Sequence, residues 1–255
     1  MKIAAHLHPQ HASYAQIREA AIEAEGLGVD VIYNWDHFYP LYGDPDGSHF
    51  EAWTMLASWA EVTTRVEIGC LVTCNSYRNP QLLADMARTV DHISNGRLIM
   101  GIGAGWFERD YDEFGYEFGT AGSRLHALRD DLPKLIERMA KGNPGPHRKI
   151  PILIGGSGEK KTLNYVSQYA NGWHSWWNDE WPHKNSVLED WCARNERDSR
   201  EIQRSVGVDT EKVEDFDALF AALAEADVDE VTIGRGGPDY DMAMITRFTE
   251  WRDSL

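Results

Sequence analysis

Cysteine, cationic side chains and long apolar runs are what this 255-residue chain has least of. Three cysteines, a small and odd number, exclude a disulfide-stapled scaffold and fit a reducing cytoplasm in which thiols stay free. Lys plus Arg number 25 against 41 Asp plus Glu, a net charge of −16, which argues against nonspecific nucleic-acid binding because a polyanion is repelled. No apolar run approaches the roughly 20 residues of a membrane helix, and residues 1–10 carry two histidines and a proline but no apolar core. A cytoplasmic location, with no membrane partner and no secretory signal, is therefore expected. Linkers are absent too. The one Pro/Gly cluster, at 142–146, reads as a loop, so a single domain over 1–255 is expected.

What is present is a rhythm. Short β-rich runs fall at 2–7, 30–34, 66–72, 97–102, 150–154, 172–175, 202–208 and 230–233, bounded by turn residues. Helical patterns lie between them at 14–27, 51–63, 80–94, 123–141, 160–170, 183–199, 213–226 and 241–254. In the first, Ile17, Ala20, Ala21 and Ala24 share a face, and Pro80 sits in a first turn, where its missing N–H costs nothing. Eight alternations in this length predict an α/β fold of (β/α)8 (TIM) barrel type with short insertions. An open doubly wound sheet is the alternative, since periodicity does not say whether a sheet closes.

A barrel would gather its chemistry just after each strand. The residues there are His6 and His8; Trp35-Asp36-His37; Thr73 to Arg78; Gly101 to Trp106; Gly155-Gly156-Ser157-Gly158; His174 with Trp176 and Trp177; and Gly234 to Gly237. The Gly155 to Gly158 loop, followed by a helix start and by Lys160 and Lys161, suits a phosphate or other anion, a ligand-free tight turn being the competing reading. Gly101 to Gly105 matches only part of a dinucleotide fingerprint. His6 and His8 have the spacing of metal-dependent barrel hydrolases, with His174 as a third ligand. The lysine, histidine and aspartate that such enzymes add after later strands are replaced here by Ala104-Gly105-Trp106, glycines and Arg235. Asp36 and His37 could form an acid/base pair, although adjacent side chains bond each other poorly and Asp36 could pair elsewhere. Cys70 and Cys74 read as buried thiols. Of ten tryptophans, Trp35, Trp106, Trp173, Trp176 and Trp177 fall near strand ends, where aromatic walls would suit a flat ring ligand.

Six segments in order, Trp35-Asp36-His37-Phe38, Cys74 to Pro80, Asp91 to Leu98, Gly101 to Phe107, Pro151 to Gly158 and Ala170 to Trp173, resemble the luciferase-like monooxygenase superfamily, in particular its deazaflavin-dependent oxidoreductases. The last third of the chain matches only loosely. The resemblance implies a barrel holding coenzyme F420, or alternatively FMN, across its C-terminal mouth. It implies catalytic roles for His37, as proton donor or acceptor, and for Asp36. The cofactor-binding positions would be His6, Cys70, Leu71, Thr73, Asn75, Gly103, Ala104, Gly105, Trp106, Gly155, Gly156, Ser157, Gly158 and Trp176, with a non-prolyl cis peptide at Cys70-Leu71. Arg78, Arg109, Lys160, Lys161 and Arg235 are candidates for an anionic cofactor tail. Two departures stand out: Trp106 replaces a glutamate of the sugar-phosphate dehydrogenases, and the segments before Pro151 and near the seventh strand are short.

The function so implied is hydride transfer between F420 and a small organic substrate, with no metal. An FMN-dependent monooxygenase is the first alternative, and a metal-dependent hydrolase on His6, His8 and His174 the second. A barrel that only binds or isomerises a phosphate through its glycine loop is a third. A small-molecule substrate is the expected partner, and a homodimer is left open.

Overall fold

Along β1 (Lys2–Leu7), Ile3, Ala5 and Leu7 face one way and Ala4 and His6 the other. This strict alternation divides a barrel's lumen from its jacket of helices. The computed structural model describes residues 1–226 and 228–255. Eight further strands follow: β2 (Val31–Asn34), β3 (Glu67–Cys70), β4 (Thr73–Cys74), β5 (Leu98–Gly103), β6 (Ile152–Gly155), β7 (Gly172–Trp176), β8 (Gln203–Val208) and β9 (Glu230–Arg235). All pairings between them are parallel. β1 joins both β2 and β9, while β3 and β4 both join β5. The ring is therefore closed, β3 and β4 are two pieces of one stave, and the staves number eight. An open sheet would leave two unpaired edges, so the doubly wound alternative falls.

The helices are α1 (Tyr14–Gly26), α2 (Ala52–Val62), α3 (Pro80–Ile93), α4 (Glu108–Phe114), α5 (Ala121–Lys141), α6 (Thr162–Tyr169), α7 (Trp181–Arg194), α8 (Phe216–Glu225) and α9 (Ala243–Asp253). Their starts follow local chemistry. Ser13 and Gln16 form a capping box before α1, Asn79 accepts amide bonds ahead of Pro80, and Asp215 caps the Asp217 and Ala218 amides. That last cap is why α8 begins at Phe216 and not at 213. The pattern predicted to 199 stops at Arg194, because Arg197 N–H turns back to the Cys192 carbonyl and Glu196 takes a positive φ of 54°. α4 is absent from the sequence reading.

Two cores result. Ile3, Leu7, Ile17, Leu56, Ile68, Leu83, Met100, Ile154, Val231 and Phe248 pack between staves and helices. Ala4, Val31, Tyr33, Leu71, Ile99 and Leu153 fill part of the lumen. The Asp91 to Leu98 segment holds the end of the barrel remote from the mouth. Arg97 donates to the Ala60, Thr63 and Val66 carbonyls and to Thr63 Oγ1, placing a cation at the C-terminal end of α2. Gly101 is required for close approach, since a Cβ there would sit 1.9 Å from the Cys70 carbonyl oxygen.

The non-prolyl cis peptide lies at Leu71-Val72, not at Cys70-Leu71. Leu71 N–H still donates to the Asn34 carbonyl at 2.7 Å. The ladder to β2 thus holds the Cys70-Leu71 link extended, and the chain leaves it one residue later.

Candidate functional site

β2 ends at Asn34, and the next three residues turn inward across the C-terminal mouth. His37 is 8% exposed, and its Nδ1 lies 2.7 Å from Oδ2 of Asp110, a fully buried residue of α4. Asp110 also accepts the Phe38 and Tyr39 amides through Oδ1 and the Tyr77 hydroxyl at 2.9 Å through Oδ2. A carboxylate so saturated is fixed in place, and it fixes the imidazole: Nδ1 donates to Asp110, leaving Nε2 to exchange protons in the mouth. Among the described residues Nε2 has no protein partner. Phe107 and Trp106 stand edge-on to the ring, at centroid distances of 5.4 and 5.7 Å.

Asp36 is not the partner of His37. It accepts a two-pronged bond from Arg78, at 2.6 and 2.9 Å, and the Cys74 amide at 3.0 Å. Arg78 also pairs with Glu51. Burial raises the Asp36 pKa against the pull of Arg78. Burial also works against the Arg78 charge, but Asp36 and Glu51 outweigh it and keep the guanidinium firmly protonated. The pair braces the loop after β2 against the turn after β4, a placement that the neighbouring sequence positions of Asp36 and His37 conceal.

Thr73 and Asn75 lie at the same end. The Thr73 hydroxyl lies against the Cys70 thiol, and Asn75 Oδ1 is buried without a partner, while Asn75 Nδ2 donates to Asp131 at 3.0 Å. Leu71 borders the lumen, but the Cys70 side chain packs in the outer core. Burial drives both nearby thiols up, Cys70 far above the ordinary range and Cys74 to about 11. Val72 reaches across to the mouth ends of β5 and β6, where a Cβ on Gly103 would meet its Cγ2 at 2.8 Å and one on Gly155 its Cγ1 at 3.0 Å. Ala104 packs on the core, and the Gly105 carbonyl accepts from Arg124.

The five tryptophans divide by strand alternation. Trp173 points outward, fully buried, stacks on Trp181 and donates to the Gly156 carbonyl, so it is not a mouth residue. Trp177 packs partly against the same outer core. Trp35 is buried, stacked on His8 at 4.3 Å, and donates to His49 Nε2. Trp106 and Trp176 remain 62% and 64% exposed.

In the glycine loop the Gly156 amide is spent on the His174 carbonyl. The loop is exposed from Gly156 to Gly158, and the amides of Ser157 and Gly158 have no acceptor among the described residues. Of the cationic candidates, Arg78 is consumed as described, and Arg109 pairs with Asp46. Arg235 donates to the Gly234 carbonyl, and Lys161 reaches His126. Among the described residues no group of three or more His, Cys, Asp or Glu side chains is gathered to hold a metal ion. No helix among them is long and apolar enough to cross a membrane.

The family model of the luciferase-like monooxygenases matches residues 1–211, and the chain belongs to that family. An uncharacterized protein of Mycobacterium tuberculosis is 26% identical over 247 residues, spanning 84% of this chain and 85% of that one. The F420-dependent glucose-6-phosphate dehydrogenase of Amycolatopsis mediterranei is 30% identical over 172 residues, covering 60% of this chain and 49% of that enzyme. Among solved structures, an F420-dependent secondary alcohol dehydrogenase superposes with a TM-score of 0.81 at 17% identity, covering 98% and 97% of the two chains. A type II Baeyer-Villiger monooxygenase of Pseudomonas putida in complex with FMN gives 0.64 at 15%, covering 81% and 67%. These structural likenesses speak to the fold.

Proposed function

We propose that the protein is an oxidoreductase that binds coenzyme F420 across the C-terminal mouth and transfers hydride between it and a small organic substrate. The observation that carries this reading is the buried His37–Asp110 pair at the mouth: one proton accompanies each hydride, and a tautomer-fixed imidazole is the group to hold it. When bound, the deazaflavin supplies electrons as hydride and reacts poorly with oxygen.

The residues fit such a group. Asn75 Oδ1 is buried and unpartnered, a costly state unless a ligand donor completes it, and a pyrimidine edge offers such a donor. Leu71 and Gly103 would back the ring and Trp106 would cover it. The Ser157 and Gly158 amides, with Lys160 beside them, would take a phosphate. Asp36 would act by holding the loop that carries His37. His37 Nε2 would give or take the substrate proton.

One observation favours FMN as a second reading. Arg78 and Arg109 are already paired with carboxylates, which leaves fewer cations for a long anionic tail and enough amides for a single phosphate. Anaerobic mixing with reduced F420 and a panel of electron-poor acceptors tests the proposal. Reoxidation of the deazaflavin supports it. Failure with every acceptor, together with incorporation of ¹⁸O from labelled dioxygen into an organic product when FMN and a flavin reductase are supplied, contradicts it.

A further inference from the structure

The lumen of a barrel is ordinarily filled by branched apolar side chains, yet one wall of this one is polar. Lys2 pairs in register with Glu230, Glu230 with Ser205, and Ser205 with His174. Because staves are staggered, such a row climbs along the barrel, here from the first residue of β1 to the middle residue of β7. Lys2 turns to Glu67, and from Glu230 to His174 the row is hydrogen-bonded. Ser205 donates to Glu230 Oε1 at 2.7 Å, and His174 Nδ1 lies 2.7 Å from Ser205 Oγ. The Tyr33 hydroxyl adds a bond to Glu230 at 3.2 Å.

One hydroxyl has one proton. With that of Ser205 given to Glu230, its oxygen accepts from His174, so the imidazole carries its proton on Nδ1 and turns a lone pair outward at Nε2. That edge occupies the space left by Gly207, where a Cβ would lie 3.3 Å from Nε2. His6, on β1, does the same. Its ring bonds the backbone of Asn34, and its Nε2 is buried without a partner. Burial holds both imidazoles neutral, lowering His6 to about 4 and His174 to about 3, and each is close enough to the other to add to the effect in His174. The His37 charge acts on His6 and the Arg235 charge on His8.

We propose that His6 and His174 form a subsite for an uncharged ligand group that donates a hydrogen bond, a hydroxyl or an N–H, with Ser205 and Glu230 as the positioning residues that set the His174 tautomer. His6, expected among the cofactor-binding positions, is assigned to this subsite instead. A carboxylate or phosphate oxygen would meet two lone pairs and be repelled, and a ketone would find no donor. Taken with the reaction proposed above, on which this clause alone rests, the subsite receives the hydroxyl or N–H end of the substrate.

The test is ¹⁵N NMR of the histidine rings in the purified protein, titrated with cyclohexanol, cyclohexanone and cyclohexanecarboxylate, which share a ring and differ in the polar group. Both rings are expected in the Nδ1–H form, and cyclohexanol is expected to shift the Nε2 signals at concentrations at least about fivefold below the other two, a factor worth about 1 kcal/mol. Ser205→Ala should move His174 to the Nε2–H form and abolish that preference, and Ser205→Thr should restore both. His174 in the Nε2–H form in the wild type, equal binding of all three probes, or saturation of both rings by micromolar zinc would overturn the assignment. No turnover is needed, so this outcome is separate from success or failure of the hydride-transfer reading.

Discussion

At the residue scale, His37 is placed by a partner 73 positions away. His37→Ala is expected to keep cofactor binding while losing about 10²- to 10⁴-fold in turnover. Asp110→Asn keeps the shape but removes the acceptor that fixes the Nδ1–H tautomer, so a smaller loss and an altered pH profile are expected. Unchanged rates in both variants would remove the pair from the mechanism. The Trp35-Asp36-His37-Phe38 segment was legible because it follows a strand end in a recognisable pattern. Asp110 was not, because nothing near it in sequence says that its carboxylate closes onto the loop after β2. Trp173 was misplaced for a simpler reason: strand-end position does not decide which face a side chain takes, and alternation from His174 turns it outward.

At the scale of elements, the eight staves were readable from β-rich runs and turns, and the barrel from their count. The missed helix, α4, has seven residues, too few for a 3.6-residue period to stand out. Its usable signals were Glu108 and Asp110 in the first turn and Gly115 at the left-handed end. The break between β3 and β4 has no compositional mark at all. It does leave a demand in β5, where Gly101 faces the Cys70 carbonyl. Gly101→Ala is expected to destabilise the fold by about 3 kcal/mol, read as a lower urea midpoint. A midpoint equal to wild type would mean that β3 can yield there.

At the scale of the whole molecule, the acidic excess opposes any polyanionic ligand, and the structure sharpens this by showing Arg78 and Arg109 already paired with carboxylates. The buried histidines set a second global property. His6 and His49 are lowered by burial to about 4, His174 to about 3 and His8 to about 2. Below the usual histidine value of 6.5 the unfolded chain takes up protons that the folded chain refuses. Stability present above pH 6.5 is therefore lost as pH falls towards 4, by about 1.4 kcal/mol per pH unit for each such histidine. Asp36 and Glu230, raised by burial, oppose this trend. The urea midpoint measured from pH 7 to 5 should fall, and His6→Gln should flatten the slope. A midpoint that His6→Gln leaves with an unchanged slope over that range would mean that the His6 ring is protonated in the fold.

Equilibrium titration of the purified protein with F420 and with FMN, followed by fluorescence, separates a mouth built for a deazaflavin from one built for a flavin. A deazaflavin site is expected to show saturable binding of F420, weakened by Asn75→Ala and by Gly158→Val and unaffected by His37→Ala. Tight binding of FMN with none of F420 would contradict it.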